Sequence, residues 1–288
     1  MSTTTDTLSE AADILDRAYA AHTPIAVVGM YSSGDDSGAM MIALEHWSKL
    51  RGVPFEVAHI NTGIGIEASR IHARTMAERR GWRFSEWRTD PNHYVRMVTG
   101  QERARSVPGG FPGAPLHRMY YRELKDRRVA DLMRAIKRGS PRSARVMLVS
   151  GIRQQESKRR MGYTNEVSKQ RAQVWVNPLL RRSKSDCLDL MELGSMPRNP
   201  ASMTCHMSGE CLCGAMNSPG ELAEIRFWFP ETARRLDEIA AQVREAGFAW
   251  GWDEPRPAWI TALNAGQQPL FDFMPLCVGC EARQGVLR

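Results

Sequence analysis

Residues 25–37 read Ile25-Ala26-Val27-Val28-Gly29-Met30-Tyr31-Ser32-Ser33-Gly34-Asp35-Asp36-Ser37, and their order decides the fold. The first six form a continuous apolar run, the pattern of a strand covered on both faces. Small and polar residues follow, and positions 38–50 then read as a helix. In open α/β sheets ligands bind beyond the carboxyl ends of the strands, where a loop feeding a helix N-terminus offers backbone N–H groups and a positive dipole to phosphate. Small side chains let that backbone close on the phosphate. The loop lacks the G-K-[ST] ending of the commonest phosphate loop, and its bland alternative is a plain Ser/Gly turn.

Working outward, positions 7–22 place Leu8, Ala11, Ala12, Leu15, Ala18 and Tyr19 at helical spacing. Downstream, a strand over 55–60 meets the turn Asn61-Thr62-Gly63, a helix covers 66–80, and 83–87 reads as a third strand. A helix over 119–137 leads to a strand at 145–150 that ends in Gly151-Ile152-Arg153. The last strand, 173–177, stops at Pro178. Strands alternating with helices predict an α/β fold, a Rossmann-like doubly wound parallel sheet of about five strands. The Gly- and Pro-rich stretch 99–117 reads as a mobile loop and a candidate lid. Near Ser195 the texture changes, which divides the chain into a nucleotide-binding α/β domain with its leading helix, 1–194, and a Cys-rich, mainly helical and irregular extension, 195–288. Within the extension, 220–247 reads as helical, with Phe227 and Trp228 expected in its core.

The 288 residues suffice for a sizeable core without disulfides. No apolar run approaches the ~20 residues of a membrane-spanning helix. The acidic N-terminal stretch lacks the basic start of a signal peptide, so a cytoplasmic, membrane-free protein is expected. Charge is uneven: between His117 and Lys184 there are 19 Lys and Arg against 5 Asp and Glu, a net +14 that leaves −7 for the remainder of a chain carrying +7. Such a block suits phosphate-rich ligands, nucleotide or nucleic acid, or else a solvated helix face.

Six cysteines stand at 187, 205, 211, 213, 277 and 280. Cys187 fits a helix face and reads as a buried structural thiol. The other five, Cys205, Cys211, Cys213, Cys277 and Cys280, are the right donors for four positions of a zinc ion or an iron–sulfur cluster, with one to spare.

Ser32, Gly34, Asp36 and Ser37 resemble the S-G-G-x-D-S loop of the PP-loop group, which includes phosphoadenosine phosphosulfate (PAPS) reductases and ATP pyrophosphatases; Ser33 replaces the first glycine. Asn61-Thr62-Gly63 is similar to the D-T-G of the PAPS reductase branch. Gly151-Ile152-Arg153-Gln154-Gln155-Glu156-Ser157 with Arg160 resembles its G-I-R-x-x-E-S-x-x-R. Asn177-Pro178-Leu179-Leu180 with Ser185-Asp186 is similar to its P-L-x-x-W-x-x-x-D-V, without the Trp and Val. The resemblance spans about residues 23–195.

The resemblance implies an adenine nucleotide, ATP with Mg²⁺, wrapped by Ser32, Ser33, Gly34, Asp36 and Ser37, with Gly63 and Gly151 close by and Arg153 and Arg160 assisting. Asp36, Arg153 and Glu156 are the expected catalytic groups: Arg153 can fork two phosphate oxygens, and Glu156 can orient an arginine or help hold Mg²⁺. The cysteine layout is similar to that of sulfonucleotide reductases, implying a [4Fe-4S] cluster, with Zn²⁺ as the alternative. The E-C-G-x-H segment that supplies those reductases with a nucleophile is absent. The expected reaction is therefore ATP-dependent adenylation of an acceptor coupled to sulfur transfer. PAPS or adenosine phosphosulfate reduction, FAD-synthetase-like nucleotidyl transfer and nucleotide sensing without catalysis are the alternatives. Expected partners are a nucleic-acid acceptor, DNA or tRNA, a sulfur donor or thioredoxin-like protein, and further copies of the chain.

Overall fold

The computed structural model describes residues 3–102, 109–113, 116–156, 165–215 and 220–248. α1 (Thr3–His22) precedes β1 (Ala26–Met30), α2 (Asp35–Arg51), β2 (Glu56–Asn61), α3 (Glu67–Arg80), β3 (Phe84–Arg88) and α4 (Pro91–Val98). α5 (His117–Tyr121) runs through a π turn (Arg122–Asp126) into α6 (Arg127–Ile136), which leads to β4 (Val146–Val149). Then come β5 (Val167–Gln170), β6 (Gln173–Val176), α7 (Lys184–Leu193), α8 (Pro200–Thr204), α9 (Glu221–Trp228) and α10 (Pro230–Glu245).

The six strands lie in the order β3-β2-β1-β4-β6-β5. Every neighbouring pair is parallel except β5 with β6. The expected doubly wound sheet is thus present, with one correction: a sixth, antiparallel edge strand, Val-Ser-Lys-Gln, too short and polar to stand out from the sequence. Period-2 alternation splits the strands between two cores. Val27, Met147 and Val149 face α1, α2, α3 and α7, whereas Val28, Val146 and Leu148 face α6. The chain winds from β1 outward to β3 and returns to place β4 on the other side of β1, so the order reverses between β1 and β4. A crevice at that switch point is where open α/β sheets bind ligands.

α2 is the central helix of the first core. It starts at Asp35, three residues earlier than expected, because the two aspartates take its first turn. Met40, Met41, Leu44 and Trp47 are fully buried. Gly29 lets α2 settle on β1, since a Cβ there would meet Met41 Sδ at 2.6 Å. Cys187, on α7, is buried in this core, and burial pushes its thiol up to about 12. The native protein at neutral pH is therefore expected to leave Cys187 unlabelled by maleimide until the chain unfolds. Mass spectrometry that found Cys187 labelled as fast as free cysteine would contradict this packing.

A third core joins the β2–α3 connection and α4 to α9 and α10, through Ile64, Ile66, Tyr94, Leu212, Ile225 and Leu236. Within the Gly/Pro stretch 99–117, residues 109–113 are buried, with Phe111 edge-on to Tyr94, whereas 100 and 101 are exposed and 103–108 and 114–115 lie outside the described residues. One expectation is corrected here. Phe227 and Trp228 pack edge-to-face on each other at 4.8 Å but are 75% and 51% exposed, not core. The positions facing inward from α9 and α10 are Ile225, Ala233, Leu236, Ile239 and Val243.

Candidate functional site

Gly38 N–H donates to Gly34 O at 2.8 Å, the first bond of α2. The N–H groups of Asp35, Asp36 and Ser37 precede it and have no intrahelical acceptor. Gly34, the N-cap, has no side chain to satisfy them. Within the loop Ser32 Oγ donates to Ser37 Oγ (3.1 Å) and Ser37 Oγ to Gly34 O (2.9 Å). Ser33 is buried at φ +61°, the left-handed region that favours glycine. Its position is the one where the resembling loops carry glycine. Here Asn199 Nδ2 donates to Ser33 Oγ at 3.1 Å and holds the strained serine in place.

The two aspartates are enclosed by cations. Asp35, 4% exposed, receives a bidentate pair from Arg198 (Nε 3.1 Å, Nη2 2.8 Å) and lies 3.1 Å from Lys184 Nζ. Asp36 lies 2.9 Å from Lys184 Nζ and 3.0 Å from Arg153 Nε. Arg153 is 1% exposed, so it braces the loop from beneath through Asp36. Gly151 makes this approach feasible: a Cβ there would lie 2.4 Å from Asp36 O. The segments after β1 and β4, both singled out in the sequence, thus meet at the switch point.

The remaining expected residues are more dispersed. Gly63 sits at the carboxyl end of β2 with φ +78°; Asn61 Oδ1 accepts from its N–H at 2.9 Å, and its carbonyl accepts from Arg235 Nη2 at 2.8 Å. Glu156 closes a single 3₁₀ turn (Gln154–Glu156) whose Gln154 N–H donates to Leu180 O at 2.8 Å. Ser157 and Arg160 lie outside the described residues.

The segment 205–213 crosses the carboxyl end of the sheet beside the loop. Ile66 N–H donates to Gly209 O (2.7 Å), Leu212 N–H to Ile64 O (2.6 Å) and Thr62 Oγ1 to Glu210 O (2.7 Å). Fully buried Asn199 donates to Ser208 O as well as to Ser33, and Ser208 Cβ comes within 3.0 Å of where a Gly34 Cβ would lie. The cysteine segment and the loop are therefore contiguous.

Cys211 and Cys213 are half-buried and hydrogen-bonded to each other. That bond from Cys213 holds the Cys211 thiol below its usual value, with Lys125 helping and burial opposing. The same bond, with burial, pushes Cys213 well up. Lys125 pairs with buried Glu210 at 2.7 Å; burial acts against its charge, but Glu210 and Cys211 more than offset this. Cys205 is buried and accepts from Thr204 Oγ1 at 3.7 Å. Among the described residues no three His, Cys, Asp or Glu side chains converge as a metal site, and Cys277 and Cys280 lie outside them.

Lys184, Arg198 and Asn199 join the site although no motif in the sequence marks them. Lys184 stands directly before the Ser185-Asp186 pair, and Asn199-Pro200 is a recognisable helix start. Much of the basic block is engaged internally: Lys125 with Glu210, Arg127 with Glu123, Arg128 with Asp131, Arg153 and Lys184 with the loop aspartates. No helix among the described residues is long and apolar enough to cross a membrane.

No protein-family model and no curated protein matches the chain. Solved structures similar to it include the phosphate complex of PAPS reductase from Candida auris, at 12% identity over 68% of this chain and 85% of that one, TM-score 0.47. A second is FMN adenylyltransferase from Candida glabrata with FMN and the ATP analogue AMPCPP, at 10% identity, 70% and 61% coverage and TM-score 0.47. The chain thus spans less than two thirds of that enzyme. A third is the U34-tRNA thiolase NcsA from Methanococcus maripaludis with its [4Fe-4S] cluster, at 13% identity, 84% and 77% coverage and TM-score 0.48. At these values none of the three carries a function across to this chain.

Proposed function

We propose that the crevice between β1 and β4 binds an adenine nucleotide, ATP with Mg²⁺, and that the chain adenylates an acceptor with release of pyrophosphate, coupled to sulfur transfer at the cysteine segment. The observation that carries the reading is the uncapped first turn of α2 at the switch point. Its free N–H groups suit a polyphosphate, and the hydroxyls of Ser32 and Ser37 stand beside them. Asp35 and Asp36 would repel such a ligand if left bare. Lys184, Arg198 and Arg153 neutralise them, so the loop can accept negative charge.

In the proposed step an acceptor oxygen forms a bond to the α-phosphorus while the bond to the bridging oxygen breaks, and pyrophosphate leaves with the electron pair. Donors fixed in advance at the loop stabilise the charge that develops on the phosphates. Mg²⁺, when bound with the nucleotide, adds neutralising charge. Lys184→Ala, which takes one of two cations from each carboxylate, is expected to weaken ATP binding roughly ten- to a hundredfold, the range of a charge-assisted contact. Calorimetric titration with ATP, ADP, adenosine phosphosulfate and PAPS tests this. The proposal fails if none binds, or if thioredoxin-dependent sulfite appears from a sulfonucleotide while ATP yields no pyrophosphate with any acceptor.

The contiguity of segment 205–213 with the loop supports the coupling. For the metal centre, [4Fe-4S] with Zn²⁺ as alternative, the proposed ligands are Cys211 and Cys213 with Cys277 and Cys280. Cys205 is the spare thiol, since its sulfur is not grouped with the hydrogen-bonded pair. Anaerobically purified Cys205→Ser protein is expected to keep its iron and acid-labile sulfide, or its zinc, while Cys211→Ser and Cys213→Ser lose it. Equal loss in all three variants would refute the assignment.

A further inference from the structure

Between the β2–α3 connection and α10 lies a cavity of about 310 Å³, with Gly65, Arg70, Leu212, Thr232 and Arg235 in its lining. Most of its charges already have partners. Arg70 pairs with Glu67 at 2.5 Å, and Arg234 pairs with Glu231 at 2.9 Å and Glu238 at 2.5 Å. Arg235 differs. Its Nη2 donates to Gly63 O at 2.8 Å, which orients the guanidinium, and no carboxylate among the described residues lies within ion-pair distance of it. Burial, together with the Arg70 and Arg88 guanidiniums, lowers its pKa from the ordinary value, against the opposing pull of Glu67 and Glu238. A half-buried arginine with no carboxylate at ion-pair distance lacks the close counter-charge that such a group ordinarily has.

We infer that this cavity is a subsite for a single oxyanion, phosphate or carboxylate, carried by a small molecule and held by Arg235. The planar fork retains N–H groups beyond the one engaged by Gly63, the geometry that oxyanions match. The rim argues against a polyanion. Glu67, Glu231 and Glu238 are 56%, 83% and 54% exposed, so an extended phosphate backbone would have to pass three carboxylates. Leu212, which lies between Cys211 and Cys213 in the chain, lines the cavity, whereas neither cysteine does. The subsite follows β2 and is separate from the loop after β1.

The test follows the Arg235 Nε–H signal by NMR in the full chain, assigned by its loss in Arg235→Lys, while inorganic phosphate or acetate is added. A saturable shift is expected, with the same midpoint in Ser37→Ala; whichever anion acts at lower concentration names the group. Thr232→Glu puts a carboxylate one turn from Arg235 on the same helix face and is expected to raise the midpoint at least about tenfold. A signal that no anion moves overturns the inference. So does a shift lost in Ser37→Ala, which would place the anion in the loop, or one unaffected by Thr232→Glu.

Discussion

Arg153→Leu is expected to destabilise the chain by about 3 kcal/mol, the lower end of what breaking a buried ion pair costs, and to remove ATP binding with it. The side chain is 1% exposed, and its Nε lies 3.0 Å from a mostly buried Asp36 carboxylate. Leucine is shorter and uncharged, so it under-fills the site and leaves that carboxylate without its lower cation. Lys184 still reaches the other oxygen at 2.9 Å, which is why the loss stays near the low end. Against a typical total stability of about 5–15 kcal/mol the change is large. The functional loss has a separate origin. With one cation gone the loop regains negative charge where a polyphosphate would enter, and the backbone of Asp36, set against Gly151, loses its brace. Urea unfolding should show a lowered midpoint at unchanged slope. A shift worth less than about 1 kcal/mol, the range of surface ion pairs, together with normal ATP affinity, would sink the argument. Asp36→Asn separates the two effects: it removes the charge that needs the brace, so stability should suffer less than in Arg153→Leu.

The readable parts of this fold are those whose signal is local. β1 and β4 are apolar runs whose central positions are buried on both faces, and the loop after β1 is recognisable because small residues there have few other uses. α3 and α10 present amphipathic spacing with acids early and basic residues late. What the sequence hid is the long-range pairing. Lys184 with Asp36 and Asn199 with Ser33 join residues 148 and 166 positions apart, and nothing in either neighbourhood announces the other. β5 escaped notice because a polar edge strand is set by its partner rather than by its own residues. The size of Phe227 and Trp228 predicts core positions, while the spacing from Ile225 through Val243 points the buried face elsewhere. The Gly-Ile-Arg motif singles out Arg153, but its burial against the Asp36 carboxylate is a long-range contact that the motif does not announce. Ser33 is the converse case, where a departure from the resembling loop becomes intelligible only with its φ angle and the hydrogen bond from Asn199.

Gly65→Ala is the second substitution with a large expected effect, because it strikes the joint between the sheet and the cysteine segment. A Cβ on Gly65 would lie 2.5 Å from Glu210 O and 2.8 Å from Gly209 O, both backbone atoms, so no side-chain rotation relieves the clash. Residues 209 and 210 must withdraw, and with them go the bonds Ile66 N–H to Gly209 O, Thr62 Oγ1 to Glu210 O and Leu212 N–H to Ile64 O. Overpacking costs about 1–3 kcal/mol and each lost hydrogen bond about 1 kcal/mol, so a loss of roughly 3 kcal/mol is expected after partial relaxation. Gly52→Ala is the control. Gly52, unlike Gly65, has a positive φ, +66°, but nothing lies within 4 Å of its added Cβ, so only backbone strain of about 1–2 kcal/mol applies. The two variants should also differ in kind. Moving Glu210 separates it from Lys125 and displaces Cys211 and Cys213, so Gly65→Ala should lower the content of the proposed metal and open 205–213 to protease, while the proposed ATP binding falls less. If both variants unfold at the same denaturant concentration and keep equal metal content, the close packing of Gly65 against the cysteine segment does not support the site.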